Sequence, residues 1–542
     1  MRAASVRTTP YHAPRRAVWL LTLLIAGLAA TPIVLVLVRG LLTPYTQELP
    51  PWPFLLRLLQ NTSLFALGTA GITGIIGIGQ ALLIEQVPMR WRRLWRVVAV
   101  LPLAMPPYVL AMTVGSVARP RGSLERWLVE QHWTEWGTLP FGMFYGLAGS
   151  IVLLALCLSP YVFLPVSAAL RQTSGHLDEQ ARLCGVPWYT RWWHVTVPML
   201  TPSAFGGMVL VFIYALGEYG LPSLLRLPTL STAIFSRYIG DIDQSGTALL
   251  SLPLVCAALG LLHWSNRLGG QAPLHHGPTW RPRPEREGSR RMQFLAHATL
   301  LGLSVCALLV PLGVLGAWVL QPAPYAAATQ VHWLVLASGA VRTFLVVGAV
   351  ASLTTMIALA PALVLRTGGF WGAVLARIGQ AGSAMPGIVV ALGVVFVVSD
   401  WVPWLRGSLL PLILAYIIRS APQTIQSSDA AFMPIPHVYR EAARGMGASS
   451  ARVFWRIMMP LARPGVLAGW ALIALGLLKE LPATLLLRPV GFDTLAVHIW
   501  MPASEGMYHA AALPALLLLL GAVLPLSQIL VHDMRRDRRV EE

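Results

Sequence analysis

The feature that most constrains this chain is a segment written twice. EQARLCGVPWYTRWWHVTVPMLTP occupies residues 179–202, and EAARGMGASSARVFWRIMMPLARP occupies residues 441–464. The copies lie 262 residues apart and match position by position: Glu179 with Glu441, Ala181 with Ala443, Gly185 with Gly447, Pro198 with Pro460 and Pro202 with Pro464. The same offset pairs Pro160 with Pro422 and Glu218 with Glu480. A register held without a gap over that length means that one unit has been duplicated. Each copy is polar, carries arginine and lies between long apolar runs. The fold must therefore present the same kind of element at two equivalent places.

The runs around these copies decide the solvent. Of 542 residues, 56% are hydrophobic and only 11% charged, with mean hydropathy +0.64. A soluble domain carries roughly 25% charged residues, and a membrane-spanning helix needs about 20 consecutive apolar ones. Such runs fall near 17–39, 63–85, 97–118, 140–168, 203–224 and 245–264, and again near 295–319, 343–365, 375–398, 405–421, 464–486 and 509–531. The expected fold is an all-α polytopic membrane protein of about twelve spans in two tandem halves of six. The first half covers 1–265 with a core at about 57–265, a linker covers 266–292, and the second half covers 293–542 with a core at about 338–532. The apolar run that follows Arg15 and Arg16 is too long for a signal-peptide core, so it reads as an uncleaved first span.

Charge sets the orientation. The net charge of +18 comes from arginines in short segments between spans. That is the positive-inside pattern rather than a nucleic-acid surface. Both termini, both repeated segments and the linker read as cytoplasmic. The loop at 119–138 departs from the pattern with Arg119, Arg121 and Arg126. Met105-Pro106 and Met385-Pro386 match at an offset of 280, so the first half carries about 18 extra residues, which fall in that loop. The linker is rich in Pro, Gly and Arg, and its His275 and His276 read as solvated residues rather than ligands. An even number of spans per half gives both halves one orientation, as in parallel-repeat transporters.

Lys479 is the only lysine, and it is followed by Glu480 rather than Ser or Thr. No phosphate-binding Gly-Lys-Ser/Thr loop is present, so ATP hydrolysis would fall to a separate polypeptide and the chain reads as no enzyme. Cys157, Cys184, Cys256 and Cys306 form no CxxC pair and no disulfide framework. No metal site and no cofactor are expected, because the oxygen-bearing candidates Glu218, Glu480, Tyr219 and Asp493 show no converging set. Glu218, Lys479 and Glu480 stand near the outer ends of the fifth and eleventh spans. Intramembrane charge is a functional signal by default, so they are candidates for a pathway or gate. Pro222 and Pro482 follow the two acids and predict broken helix ends there.

Each repeated segment reads as a short helix pair. Glu179 and Glu441 are expected to begin a helix, where an acid favours the dipole. Gly185 and Gly447 are expected to end it in a left-handed conformation. An apolar stretch follows, with Trp188, Trp192, Trp193 and Val195 in one copy and Val453, Phe454, Trp455 and Ile457 in the other. Such a helix suits a groove on a partner.

The segments resemble the EAA loop of the membrane subunits of bacterial ABC importers. The second copy matches that pattern directly, whereas the first has Gln180 at the middle alanine. The resemblance implies that Glu179, Ala181, Gly185 and Pro198, with Glu441, Ala442, Ala443, Gly447 and Pro460, couple the spans to two copies of a cytoplasmic ATP-binding subunit. It also implies a periplasmic or extracellular substrate-binding protein, a place in the bacterial inner membrane, and rocking of the halves between inward- and outward-facing states. Within this family, KELPATLLLRPVGFDTLAVHIW at 479–500 and GEYGLPSLL at 217–225 are similar to the ferric-iron permeases, whose two halves are also fused. Thiamine, 2-aminoethylphosphonate and polyamine permeases are the neighbouring groups. A secondary transporter would share the duplication but would need no paired coupling segments. A membrane enzyme would need a catalytic set such as HExxH, which the sequence lacks.

Overall fold

The computed structural model describes residues 16–42, 50–119, 122–135, 144–172, 181, 183–240, 244–269, 289–321, 333–367, 369–380, 382 and 385–541. His275, His276 and Glu179 lie outside them. Among the described residues the secondary structure is helical, without strands.

The first half contains α1 (Arg16–Leu42), α2 (Trp52–Gln86), α3 (Arg92–Val100), α4 (Pro107–Val117), α5 (Ser123–Glu130), α6 (Gly146–Leu158), α7 (Pro160–Gln172), α8 (Val197–Gly217), α9 (Gly220–Leu224), α10 (Leu230–Gly240) and α11 (Gln244–Gly269). The second half answers with α12 (Arg290–Ser304), α13 (Val310–Leu320), α14 (Trp333–Thr367), α15 (Gly369–Gln380), α16 (Gly387–Asp400), α17 (Leu410–Phe432), α18 (His437–Gly445), α19 (Met459–Leu478), α20 (Pro482–Leu487), α21 (Leu495–Ser504) and α22 (Tyr508–Glu541). Helix α5 lies in the stretch that only the first half carries.

Among the described residues most of the expected span positions are helical, but the helices do not divide into the twelve spans expected. Among the described residues eight helices are long and apolar enough to cross a membrane, or ten if each of two bent pairs counts as one span. The pair running from Arg92 to Val117 bends by 95°, and the pair from Gly146 to Arg171 by 44°. The sharp bend falls at Pro106-Pro107, where two backbone donors are missing and a straight helix cannot continue. In the second half the corresponding elements are α15 with the short apolar α16, and α17. Large apolar side chains such as Ile75 and Leu334 are 75% and 87% exposed, as residues facing lipid would be.

Among the described residues three helical runs carry a π turn, at Trp192–Thr196, Val305–Leu309 and Phe454–Met458. Each precedes a proline near the start of the next helix: Pro198, Pro311 and Pro460. A proline ring clashes with the carbonyl four residues earlier. That carbonyl belongs to His194, Ala307 or Arg456, the middle residue of each π turn. Widening the helix there relieves the clash without ending it.

The halves repeat their buried polar contacts as well as their helices. Thr62 on α2 accepts a hydrogen bond from the Leu230 N–H at the start of α10, at 2.9 Å. Thr343 on α14 accepts from the Leu495 N–H at the start of α21, at 2.8 Å. A helix start buried in a membrane protein must find such an acceptor, because lipid supplies none.

One arrangement joins the halves beyond simple side-by-side packing. Helix α1 packs on α11 of its own half, and also on α14, α15 and α16 of the other. In return, α12 and α13 pack on α2, α3 and α4. Arg39 at the end of α1 holds Asp400 at the end of α16 at 2.5 Å, contacts Gln244 and lies 4.3 Å from the Phe396 ring centroid. Midway along this contact a side chain on Gly393 would put its Cβ 2.4 Å from Pro32 Cβ and 2.7 Å from Pro32 Cα. Gly393→Ala is therefore expected to destabilise the protein by about 1–3 kcal/mol through overpacking. A melting curve in detergent checks this, and an unchanged midpoint would mean that α1 is not held so closely. One contiguous apolar core runs through both halves, from Ile33 to Ile529.

Candidate coupling segments and central charge cluster

The second repeated segment is a helix, a turn and a second helix. Helix α18 begins at His437 after Pro436, so Glu441 lies in its middle rather than at its start as the sequence suggested. Pro434 and Pro436 stop the preceding helix and start α18 a turn earlier, which takes Glu441 away from the N-terminal dipole. The end of the helix is as expected. Gly447 has φ +80. The Gly447 N–H donates to the Arg444 carbonyl at 2.9 Å, and the Ala448 N–H donates to the Ala443 carbonyl at 3.0 Å. These two bonds close the helix in a Schellman motif. Ser449 then caps the next helix, its hydroxyl accepting from the Arg452 N–H at 3.4 Å.

The first copy repeats this end. Gly185 has φ +73, and the Val186 N–H donates to the Ala181 carbonyl at 3.0 Å. Ala443 is buried and joins a small core with Phe432, Ile435, Val453 and Met458, so its position demands a small side chain. Glu441, Ala442, Gly447 and Pro460 are exposed, and so are Gly185 and Pro198. In the second copy the buried alanine fixes the motif to its own chain and the exposed residues face outward.

The second group of candidate residues meets at the contact between the halves. Helix α8 ends at Gly217, with Glu218 extended, and α19 ends at Leu478, with Lys479 and Glu480 before α20 begins. The breaks expected beside Pro222 and Pro482 are present. The two breaks face one another. A Cβ on Gly217 would come within 2.8 Å of Pro386 Cα, and one on Gly220 within 3.1 Å of the Leu481 side chain. Tyr219 packs between Phe235 and Trp500, with ring centroids at 4.2 and 5.2 Å.

The charges here are buried, not snorkelling. Lys479 and Glu480 are 6% and 5% exposed. They do not pair with each other. Lys479 Nζ crosses to the first half and donates to the Leu103 carbonyl at 2.9 Å. Glu480 Oε2 accepts from Arg419 Nε on α17 at 2.6 Å. Glu218 Oε1 accepts from the Leu221 N–H at 3.2 Å and lies within electrostatic reach of Glu480, Arg419 and Lys479. Arg419, the partner of Glu480, is a functional candidate that the sequence reading did not single out. The signal was an arginine within the apolar run at Ile417-Ile418-Arg419, but it stands 61 residues before Glu480. Asp493, the remaining oxygen-bearing candidate, is ion-paired with Arg488.

The duplication is broken at one informative place. The offset of 262 sets Cys157 opposite Arg419. Cys157 is buried within reach of Glu218 and Lys479. The first-half acid therefore has no arginine on its own half at the matched position. The cations within electrostatic reach of it, Arg419 and Lys479, both come from the other half.

A duplicated helical membrane protein with two matched exposed turns and buried charge between its halves is a transport permease. The chain belongs to the family described as binding-protein-dependent transport system inner membrane component, which it matches at residues 74–265 and 352–536. It is an ABC importer permease, and its apolar helices place it in the inner membrane as a multi-pass protein. It is 28% identical over 531 residues to the Fe(3+)-transport system permease protein FbpB 2 of Haemophilus influenzae, covering 94% of this chain and 98% of that protein. It is 21% identical to the ferric transport system permease protein FbpB of Actinobacillus pleuropneumoniae, over 84% of this chain and 68% of that one. The molybdenum transport system permease protein ModB of Mycobacterium tuberculosis is 26% identical over 47% of this chain and 94% of its own length.

Proposed function

We propose that this chain is the translocation subunit of an ATP-driven importer whose cargo is ferric iron. The observation that carries the iron reading is similarity to ferric permeases across both fused halves, whereas the molybdenum relative matches about one half. The repeated left-handed glycine turns at Gly185 and Gly447 support the ATP-driven part. Two copies of a cytoplasmic ATP-binding subunit dock on the segments carrying Glu179, Ala181, Gly185 and Pro198, and Glu441, Ala442, Ala443, Gly447 and Pro460. Their closure draws the two segments together and rocks halves 1–265 and 293–542 about the contact at Glu218 and Glu480. Both termini lie in the cytoplasm, and a substrate-binding protein delivers cargo on the opposite face. The chain itself hydrolyses no ATP.

Cells lacking this chain are expected to lose ferric-iron uptake and to regain it on complementation, with thiamine uptake unchanged in parallel. Loss of thiamine uptake alone would keep the importer and replace its cargo. Loss of neither would send the search to phosphonates and polyamines.

A further inference from the structure

We infer that Glu218 and Glu480, with the hydroxyl of Tyr108, form a transit site for a hard, multiply charged cation, and that Lys479 and Arg419 are tethered counter-ions that neutralise its carboxylates in this state. The inference rests on the iron reading above and names the side chains that would meet the cargo.

Two orphaned oxygens point to a ligand. Glu480 Oε1 is buried and has no hydrogen-bond partner, although Oε2 of the same carboxylate is bound to Arg419. The Tyr108 hydroxyl is also buried without a partner. Tyr108 is 1% exposed and lies within electrostatic reach of Glu218, Tyr416 and Glu480. Buried polar atoms are seldom left unbonded, and each exception calls for an explanation. The Tyr108 hydroxyl and the two carboxylates offer oxygen donors, the kind that suit hard cations.

Access is tight on the second-half side. A Cβ on Gly387 would come within 2.7 Å of both Glu480 Oε1 and an Arg419 guanidinium nitrogen. At this point only a glycine leaves the carboxylate oxygen uncovered. The formal charges cancel, with two carboxylates against one lysine and one arginine. Neutrality lets the cluster sit in an apolar interior. It also means that a cation can be accepted only when the counter-ions move away. Lys479 is bonded across the contact between halves to Leu103. Movement of one half against the other would break that bond and free Lys479 to leave the cluster. Among the described residues no group of three or more His, Cys, Asp or Glu could hold a metal ion. Few strong ligands suit transit, which requires release as well as entry.

The test is uptake of ferric ion, delivered by the binding protein, into cells carrying the full transport complex with Glu218→Gln, Glu218→Asp or Tyr108→Phe. Membrane abundance is measured alongside. Tyr108→Phe removes a hydroxyl that bonds to nothing at rest, so abundance is expected to hold. Loss of one charged or polar cation ligand is expected to cut uptake by about tenfold. The inference expects that loss for Glu218→Gln and Tyr108→Phe, with Glu218→Asp retaining most uptake. Wild-type uptake in Tyr108→Phe and Glu218→Gln would overturn the transit site and leave the iron reading intact. Equal loss in Glu218→Asp and Glu218→Gln would assign Glu218 a packing role and overturn it too. Absence of ferric uptake by the unaltered chain would overturn the iron reading, and the site with it.

Discussion

Replacing Gly447 with valine should leave the chain inserted in the membrane but uncouple ATP hydrolysis from transport. Gly447 sits at φ +80, and nothing lies within 4 Å of where a Cβ would be. The cost of substitution is therefore conformational rather than steric. A left-handed backbone costs an L-residue about 1–2 kcal/mol, and a β-branched residue stands at the unfavourable end. About 1.4 kcal/mol is a tenfold change in population, so the Schellman end would largely give way and α18 would lose its fixed exit. Asparagine tolerates this conformation better. Gly447→Asn should keep more transport than Gly447→Val if the backbone shape is what the partner needs. Uptake and ATPase activity measured together check this. Wild-type uptake in both Gly447→Val and Gly185→Val would remove the coupling role from these segments.

The second large effect is expected at Arg419. Its partner Glu480 is almost fully buried, and removing one member of a buried ion pair costs about 3–5 kcal/mol because the other charge is left uncompensated. Arg419→Met should therefore lower membrane abundance and the melting midpoint in detergent sharply. Adding Glu480→Met should restore most of the stability, since Glu218 and Lys479 then remain as a balanced pair. Coupling of this kind is what a double-mutant comparison isolates. A single variant as stable as the parent would mean that Glu480 is compensated by another group. The double variant should fold and still transport poorly, because the carboxylate is gone.

The central cluster also separates two kinds of information. Glu218 and Glu480 stood out in the sequence because a charge inside an apolar run is expensive wherever it lands. Their helix breaks were legible too, because proline cannot donate a hydrogen bond and one follows each acid within four residues. The middle position of Glu441 in α18 was not legible, because an acid after a proline-bearing stretch fits more than one helix start. The 95° bend at Pro106-Pro107 was announced by the prolines, but the angle was not.

By itself the sequence determined the solvent, the duplication and the two exposed turns. Apolar length sets what can cross a bilayer, and a shared offset needs no coordinates to be seen. Glycine at a left-handed position is likewise a local requirement. The tertiary structure alone decided which charges meet. Arg419 reaches Glu480, and Lys479 reaches Leu103 in the other half. It also decided that α1 packs across onto α16, with Pro32 against Gly393. These contacts join residues far apart in the chain on helices that are apolar on every side. Such helices carry no stripe to say which face meets which neighbour, so only their packing together fixes the partners.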